Sequence, residues 1–189
     1  QSPRRKQLLE LLNIDYLAVN HSFDESSVIK TSTPEEYCEI ISKGKANSIK
    51  EAYDSTILAA DTIVSVDNII LEKPIDREEA YKMLNMLNNH RHDVLTGVTI
   101  LDKKKGINFS FIEKTEVYFN KISDNEIYYY IDNYKPFDKS GAYGIQDFSS
   151  IFVRRLEGCY FNVVGLPISR LFFYLKKFNL VQFSLDTED

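Results

Sequence analysis

Two long alternating segments constrain this chain more than anything else in it. Residues 92–101 and 108–120 alternate in a strand-like way on either side of Lys103-Lys104-Lys105-Gly106, a polar run ending in glycine. A side-chain period of two describes strands with one buried face, and two such runs joined by a turn describe an antiparallel pair. Residues 56–60 add a mostly apolar run, which predicts a buried strand ending at Asp61. Residues 63–66 and 69–71 predict a hairpin turned by Asp67-Asn68. Shorter strands are expected at 16–19, 151–155 and 160–164.

Helix signals are interleaved with these strands. Ser2 as N-cap and Pro3 at the first helical position predict a helix to about Asn13. Thr33-Pro34-Glu35-Glu36 combines an N-cap, a first-turn proline and a capping-box glutamate, and predicts a helix to about Ala52. Its inward stripe reads Tyr37, Ile40, Ile41, Gly44, Lys45 and Ser48. Asp76 with Glu79, and Ser123 with Glu126, open two more helices, and a last one runs from Pro167 to about Phe178. Residues 184–189 form a polar tail that is expected to fray. Alternating helices and strands, several strands apolar on both faces, and added hairpins imply one α/β domain over residues 1–189 with a mixed sheet.

Composition narrows the function. With 23 basic and 28 acidic residues the formal charge is −5, which argues against a duplex nucleic-acid binder, because such proteins gain affinity from a basic face. No apolar run approaches bilayer length and no leader pattern opens the chain, so a soluble protein is expected. Cys38 and Cys159 lack CxxC or Cys/His spacing, which fits reduced thiols in the cytoplasm and no zinc site.

Several residues carry chemistry. Arg4 and Arg5 occupy a first helical turn, where the macrodipole already favours anions, so a bound phosphate would suit both the turn and its cations; a solvated basic turn explains them equally well. Lys45 follows Ile41 by four residues on an inward stripe, and must snorkel or meet an anion. Asp61 follows an apolar strand, the position at which open α/β sheets place ligands and catalytic groups. Phe23-Asp24-Glu25 could join Asp61 in a site for magnesium or manganese, hard ions that take carboxylate, water and phosphate oxygens. In the loop from Asp138 to Gln146, two glycines flank an aromatic, and the Gln146 amide offers donors and an acceptor to a nucleobase edge.

Read in order, Ser2-Pro3-Arg4-Arg5, Lys45-Ala46, Ala60-Asp61-Thr62, Glu72-Lys73-Pro74, Leu95-Thr96-Gly97, Asp138-Lys139-Ser140-Gly141-Ala142-Tyr143-Gly144-Ile145-Gln146 and Asn162-Val163-Val164-Gly165-Leu166-Pro167 resemble the Maf family of nucleotide pyrophosphatases over residues 1 to about 178. The resemblance implies a fold of two lobes about a central cleft, related to the inosine triphosphate pyrophosphatases and frequently a homodimer. It implies hydrolysis of a nucleoside triphosphate to the monophosphate and pyrophosphate with a divalent cation, Mg2+, Mn2+ or Co2+. By that resemblance Asp61 looks like the catalytic carboxylate, as base toward water or as metal ligand, and Glu25 like a further metal ligand. Arg4, Arg5, Lys45 and Lys73 look like a triphosphate clamp, with Ser2, Thr62 and Gln146 completing the substrate-binding set.

The combination of Arg4, Thr62 and Gln146 is similar to the branch acting on dTTP, UTP and modified pyrimidine nucleotides. The 7-methyl-GTP branch tends to carry a tryptophan in its first motif, and this chain has none. Family members also have an apolar strand ahead of the Ser-Pro-Arg-Arg turn, so a strand upstream of Gln1 is expected to be missing. The competing readings are a nucleotide-binding regulator of cell division with little turnover, the 7-methyl-GTP specificity, and a metal-dependent phosphatase.

Overall fold

The computed structural model describes residues 2–29, 33–49 and 54–181. In chain order the elements are α1 (Pro3–Glu10), α2 (Pro34–Asn47), β1 (Ile57–Val66), β2 (Ile69–Leu71), α3 (Arg77–Leu87), β3 (Arg91–Asp102), β4 (Ile107–Phe119), α4 (Asp124–Tyr134), β5 (Val153–Glu157), α5 (Tyr160–Val164) and α6 (Ile168–Lys177). The expected long pair is β3 and β4, in register from Arg91 opposite Tyr118 to Asp102 opposite Ile107. The five strands lie in the order β2-β1-β3-β4-β5.

Each described pairing is antiparallel, where a mixed ladder was expected. The parallel relation exists one strand removed: β2 and β3 both oppose β1, one on each side, and α3 carries the chain between them. The β1–β2 turn falls at Asp67 (φ 50°) and Asn68 (φ 64°). Two consecutive positive φ values make the turn whose twist matches that of the flanking strands, and short polar Asx side chains tolerate them.

Strand alternation divides the core between the two faces of the sheet. Ile57, Ala59 and Ile63 of β1 face α2, meeting Ala46, Tyr37, Cys38 and Ile41. Ala60 faces the other way, with Leu8 of α1 and Leu171 and Leu175 of α6. Farther along that second face, Val64 and Val66 pack with Leu84 and Leu87 of α3 and Ile127 and Ile131 of α4.

Some expectations are corrected. The strand beginning near residue 57 does not end at Asp61; Asp61 and Thr62 pair with Gly97 and Thr96 in an unbroken ladder, because backbone pairing is indifferent to a charged side chain that finds a partner. Residues 160–164 form helix α5, not a strand. Their aromatic and β-branched composition reads as strand, but the Asn162 amide bonds Val94 O and Thr115 Oγ1 at 2.9 Å. Gly165 at φ 128° closes the turn with Leu166 N donating to Phe161 O, a Schellman-type end. Residues 16–19 are irregular, with Leu17 85% exposed. Helix α1 stops at Glu10 and α2 at Asn47; residues 50–53 and 182–189, where α2 was to end and the tail to fray, lie outside the described residues. Ile40, expected on the inward stripe, is exposed.

Candidate active site

β2 covers the outer side of β1 only at Val64–Val66. Among the described residues no strand pairs with the outer side of Ile57–Ile63, and the Asp61 side chain on this stretch of the sheet edge turns toward α2. Lys45, in the last turn of α2, places Nζ 2.7 Å from Asp61 Oδ1 and 2.9 Å from Glu25 Oε1. A cation suits that end of a helix. The lysine side chain is 12% exposed and Asp61 15%, so the pair is largely withdrawn from water.

Close packing of α2 sets that contact. Cys38, two turns before Lys45 on the same helix face, accepts from Gly97 N at 2.9 Å and donates to Asp61 O at 3.2 Å. Burial, reinforced by the Asp61 charge, pushes the Cys38 thiol up to about 12, which keeps it a protonated donor. A Cβ at Gly97 would stand 2.5 Å from Cys38 O, so only glycine lets the helix lie this near β3. Phe23 packs on the same cluster of Tyr37, Cys38 and Ile41, and brings the turn Glu25–Ser27 over the end of α2.

Thr62 points through the opposite face of the sheet. There Arg5 donates Nη2 to Thr62 Oγ1 at 2.9 Å and Nε to Gly165 O at 2.8 Å. Burial lowers the pKa of Arg5, while the charges of Asp61 and Glu25 raise it; these acids therefore act electrostatically on Arg5 although neither bonds it. Ser2 accepts from Arg5 N at 3.4 Å as the cap of α1. Arg4 turns outward, with Nη1 3.2 Å from Asp138 Oδ2.

The loop after α4 is tied to the end of the β1–β2 hairpin. Ser140 Oγ donates to Leu71 O and accepts from Val64 N at 3.0 Å, and Gly141 N donates to Glu72 O at 3.1 Å. Tyr37 in turn donates to Glu72 Oε1 at 3.0 Å. Burial raises the pKa of the Tyr37 hydroxyl first, then its bond to Glu72 and the charges of Glu72, Asp61 and Glu25, which keeps it a protonated donor to Glu72. Lys73 and Gln146 are exposed.

Of the predicted residues, then, Asp61, Lys45 and Glu25 form one contact group, and Arg5 and Thr62 another coupled to it through charge. Arg4 pairs with the loop instead, and Lys73 and Gln146 stand on loops bonded to that end of β1. The sequence reading assigned no site role to Tyr37 or Cys38. Cys38 carried a usable signal, being seven residues before Lys45 on one helix face.

A hard divalent cation fits the oxygens present, since Asp61 and Glu25 already converge on a single positive charge, the Lys45 ammonium. Among the described residues no set of three or more His, Cys, Asp or Glu side chains is arranged to hold a metal. Two carboxylates suit an ion that keeps waters and takes substrate phosphates.

The family profile described as Maf-like protein matches residues 1–178. A Thermosipho melanesiensis protein named dTTP/UTP pyrophosphatase is 48% identical over 170 residues, covering 90% of each chain. A Thermosipho africanus protein of the same name is 47% identical over 171 residues, covering 90% of this chain and 86% of its own. One from Clostridium beijerinckii, again named dTTP/UTP pyrophosphatase, is 43% identical over 178 residues, 93% of this chain and 95% of its own. With its residues 1–178 matched, the chain belongs to the Maf-like protein family.

Proposed function

We propose that the chain hydrolyses dTTP and UTP, with modified pyrimidine nucleotides of the same base edge, to the nucleoside monophosphate and pyrophosphate, a house-cleaning activity in the cytoplasm. The observation that carries this reading is the Lys45 ammonium held between Asp61 and Glu25 beside that stretch of the sheet edge, with Arg4 and Arg5 in the first turn of α1 on the other face of the sheet. Relatives over nine-tenths of the chain named for that activity support it.

Phosphoanhydride hydrolysis needs positioning and charge neutralisation more than a special nucleophile. In this reading Arg4, Arg5, Lys45 and Lys73 hold the triphosphate, aided by the positive end of the α1 dipole. Asp61 orients a water and takes its proton as the water oxygen bonds the α-phosphorus and the bond to the bridging oxygen breaks, releasing pyrophosphate. A divalent cation held by Asp61 and Glu25 would supply charge neutralisation at the phosphate oxygens. Gln146 reads the base: uracil and thymine share the O4 acceptor and N3–H donor that one amide can match, so the two nucleotides form one substrate class. Thr62, bonded to Arg5, holds that guanidinium beside the edge. The same reading takes the protein to be a homodimer of two-lobed subunits, which sedimentation tests directly.

Incubation with magnesium or manganese and each nucleoside triphosphate in turn should yield monophosphate plus pyrophosphate from dTTP and UTP foremost. Tight binding without products would instead favour a nucleotide-responsive regulator, and orthophosphate release a phosphatase. Asp61→Asn should lower turnover by roughly 10²–10⁴-fold, with the circular dichroism spectrum unchanged; near-normal pyrophosphate release from that variant refutes the assignment.

A further inference from the structure

His92 is 1% exposed and has no part in the proposed reaction. Its Nε2 lies 2.8 Å from the Tyr143 hydroxyl, itself buried. Among the described residues Nδ1 meets no hydrogen-bond partner. The imidazole stands edge-on to Phe119 at 4.8 Å and to Tyr143 at 5.4 Å. Whichever nitrogen carries the proton, one buried polar atom goes unsatisfied, and apolar rings of the same shape would avoid that penalty. Ring packing alone would tolerate several orientations of Tyr143; a hydrogen bond between its hydroxyl and Nε2 allows few.

Tyr143 is one foot of a short arch. Asp147 N donates to Gly144 O at 3.1 Å, closing a turn whose third residue is the exposed Gln146. The far foot is also anchored, with Tyr130 OH 3.2 Å from Asp147 Oδ2. The only exposed polar side chain within the arch is thus carried between two buried tyrosine contacts.

We propose that the His92–Tyr143 hydrogen bond is a positioning device for the Gln146 amide, setting how strictly the site distinguishes uracil from cytosine although neither side chain touches substrate. This rests on the reading that Gln146 meets the base edge. A mispositioned amide leaves polar groups of site and base unpaired, which is how hydrogen-bonding sites gain or lose discrimination.

The test compares Tyr143→Phe, His92→Phe, His92→Gln and Gln146→Ala, reading kcat and KM for UTP and CTP, and thermal unfolding. Tyr143→Phe, which leaves His92 Nε2 buried without its partner, should melt below the parent and lose about tenfold in its preference for UTP over CTP, chiefly through a raised KM for UTP. His92→Phe should behave alike, and His92→Gln, which can still bond the tyrosine hydroxyl, should recover part of the preference. Adding Tyr143→Phe to Gln146→Ala should change the preference no further. If Gln146→Ala abolishes the preference while Tyr143→Phe and His92→Phe keep it in full, the positioning inference falls and the base-reading assignment stands. If Gln146→Ala keeps the preference, both fall. If Tyr143→Phe does not fold, His92→Phe and His92→Gln decide the matter by the same readouts.

Discussion

At the scale of single residues, the cations divide by how firmly they are held. The Arg4–Asp138 pair has 31% and 62% of its side chains exposed, and pairs of that kind contribute at most about 1 kcal/mol, so Arg4 is readily released to a phosphate. Arg5 is fixed through Gly165 O and Thr62. Lys45 stands where its ammonium repels any second cation approaching Asp61 and Glu25. Lys45→Gln should therefore bind Mn2+ in the absence of nucleotide about tenfold more tightly than the parent, measured by electron paramagnetic resonance, while pyrophosphate release falls by at least the same factor. Equal Mn2+ affinity in the two proteins would show that Lys45 does not shield the carboxylates.

At the scale of elements, the decisive contact is α2 against β1 and β3. A methyl group at Gly97 would meet Cys38 O, a backbone atom with little freedom to retreat, so α2 must shift and take Lys45 with it. Gly97→Ala should lower stability by roughly 1–3 kcal/mol, read by urea unfolding, and reduce turnover in the surviving fold. Unchanged urea midpoint and turnover would mean that α2 does not depend on this approach. Helix starts were legible because caps are local: Thr33 with Glu36 and Ser123 with Glu126 form reciprocal boxes. Asp76 accepts from Glu79 N as expected, although Glu79 reaches back to Ile75 N rather than to the cap itself. The segment 160–164 misled because its strand-like composition was overruled by the long-range bonds of Asn162.

At the scale of the whole molecule, one buried group links folding to pH. Burial, with a smaller contribution from the His90 charge, lowers His92 from 6.5 to about 3. Between those values the unfolded chain takes up a proton that the folded chain refuses, so this contribution to stability is complete above pH 6.5 and is lost as pH falls toward 3. The loss should reach roughly 3 kcal/mol by pH 4. Unfolding free energies from pH 7 to pH 4 should fall more steeply for the parent than for His92→Phe; parallel slopes would show that His92 titrates alike in both states.

What the sequence determined by itself lies within short spans of chain: the alternation of β3 and β4, the helix caps, the Asp67-Asn68 turn and the acidic balance, together with the strings that marked the family. The alternation, the caps and the turn are set by residues a few positions apart, while the charge balance and the strings are read from composition and order along the chain. Only the tertiary structure decided that Asp61 lies inside a strand rather than at its end, that Lys45 bridges it to Glu25, and that adjacent Arg4 and Arg5 part company, one toward Asp138 and one toward Gly165. Each of those outcomes depends on which distant segments α2, the sheet edge and the loops bring together, and periodicity along the chain carries no measure of that.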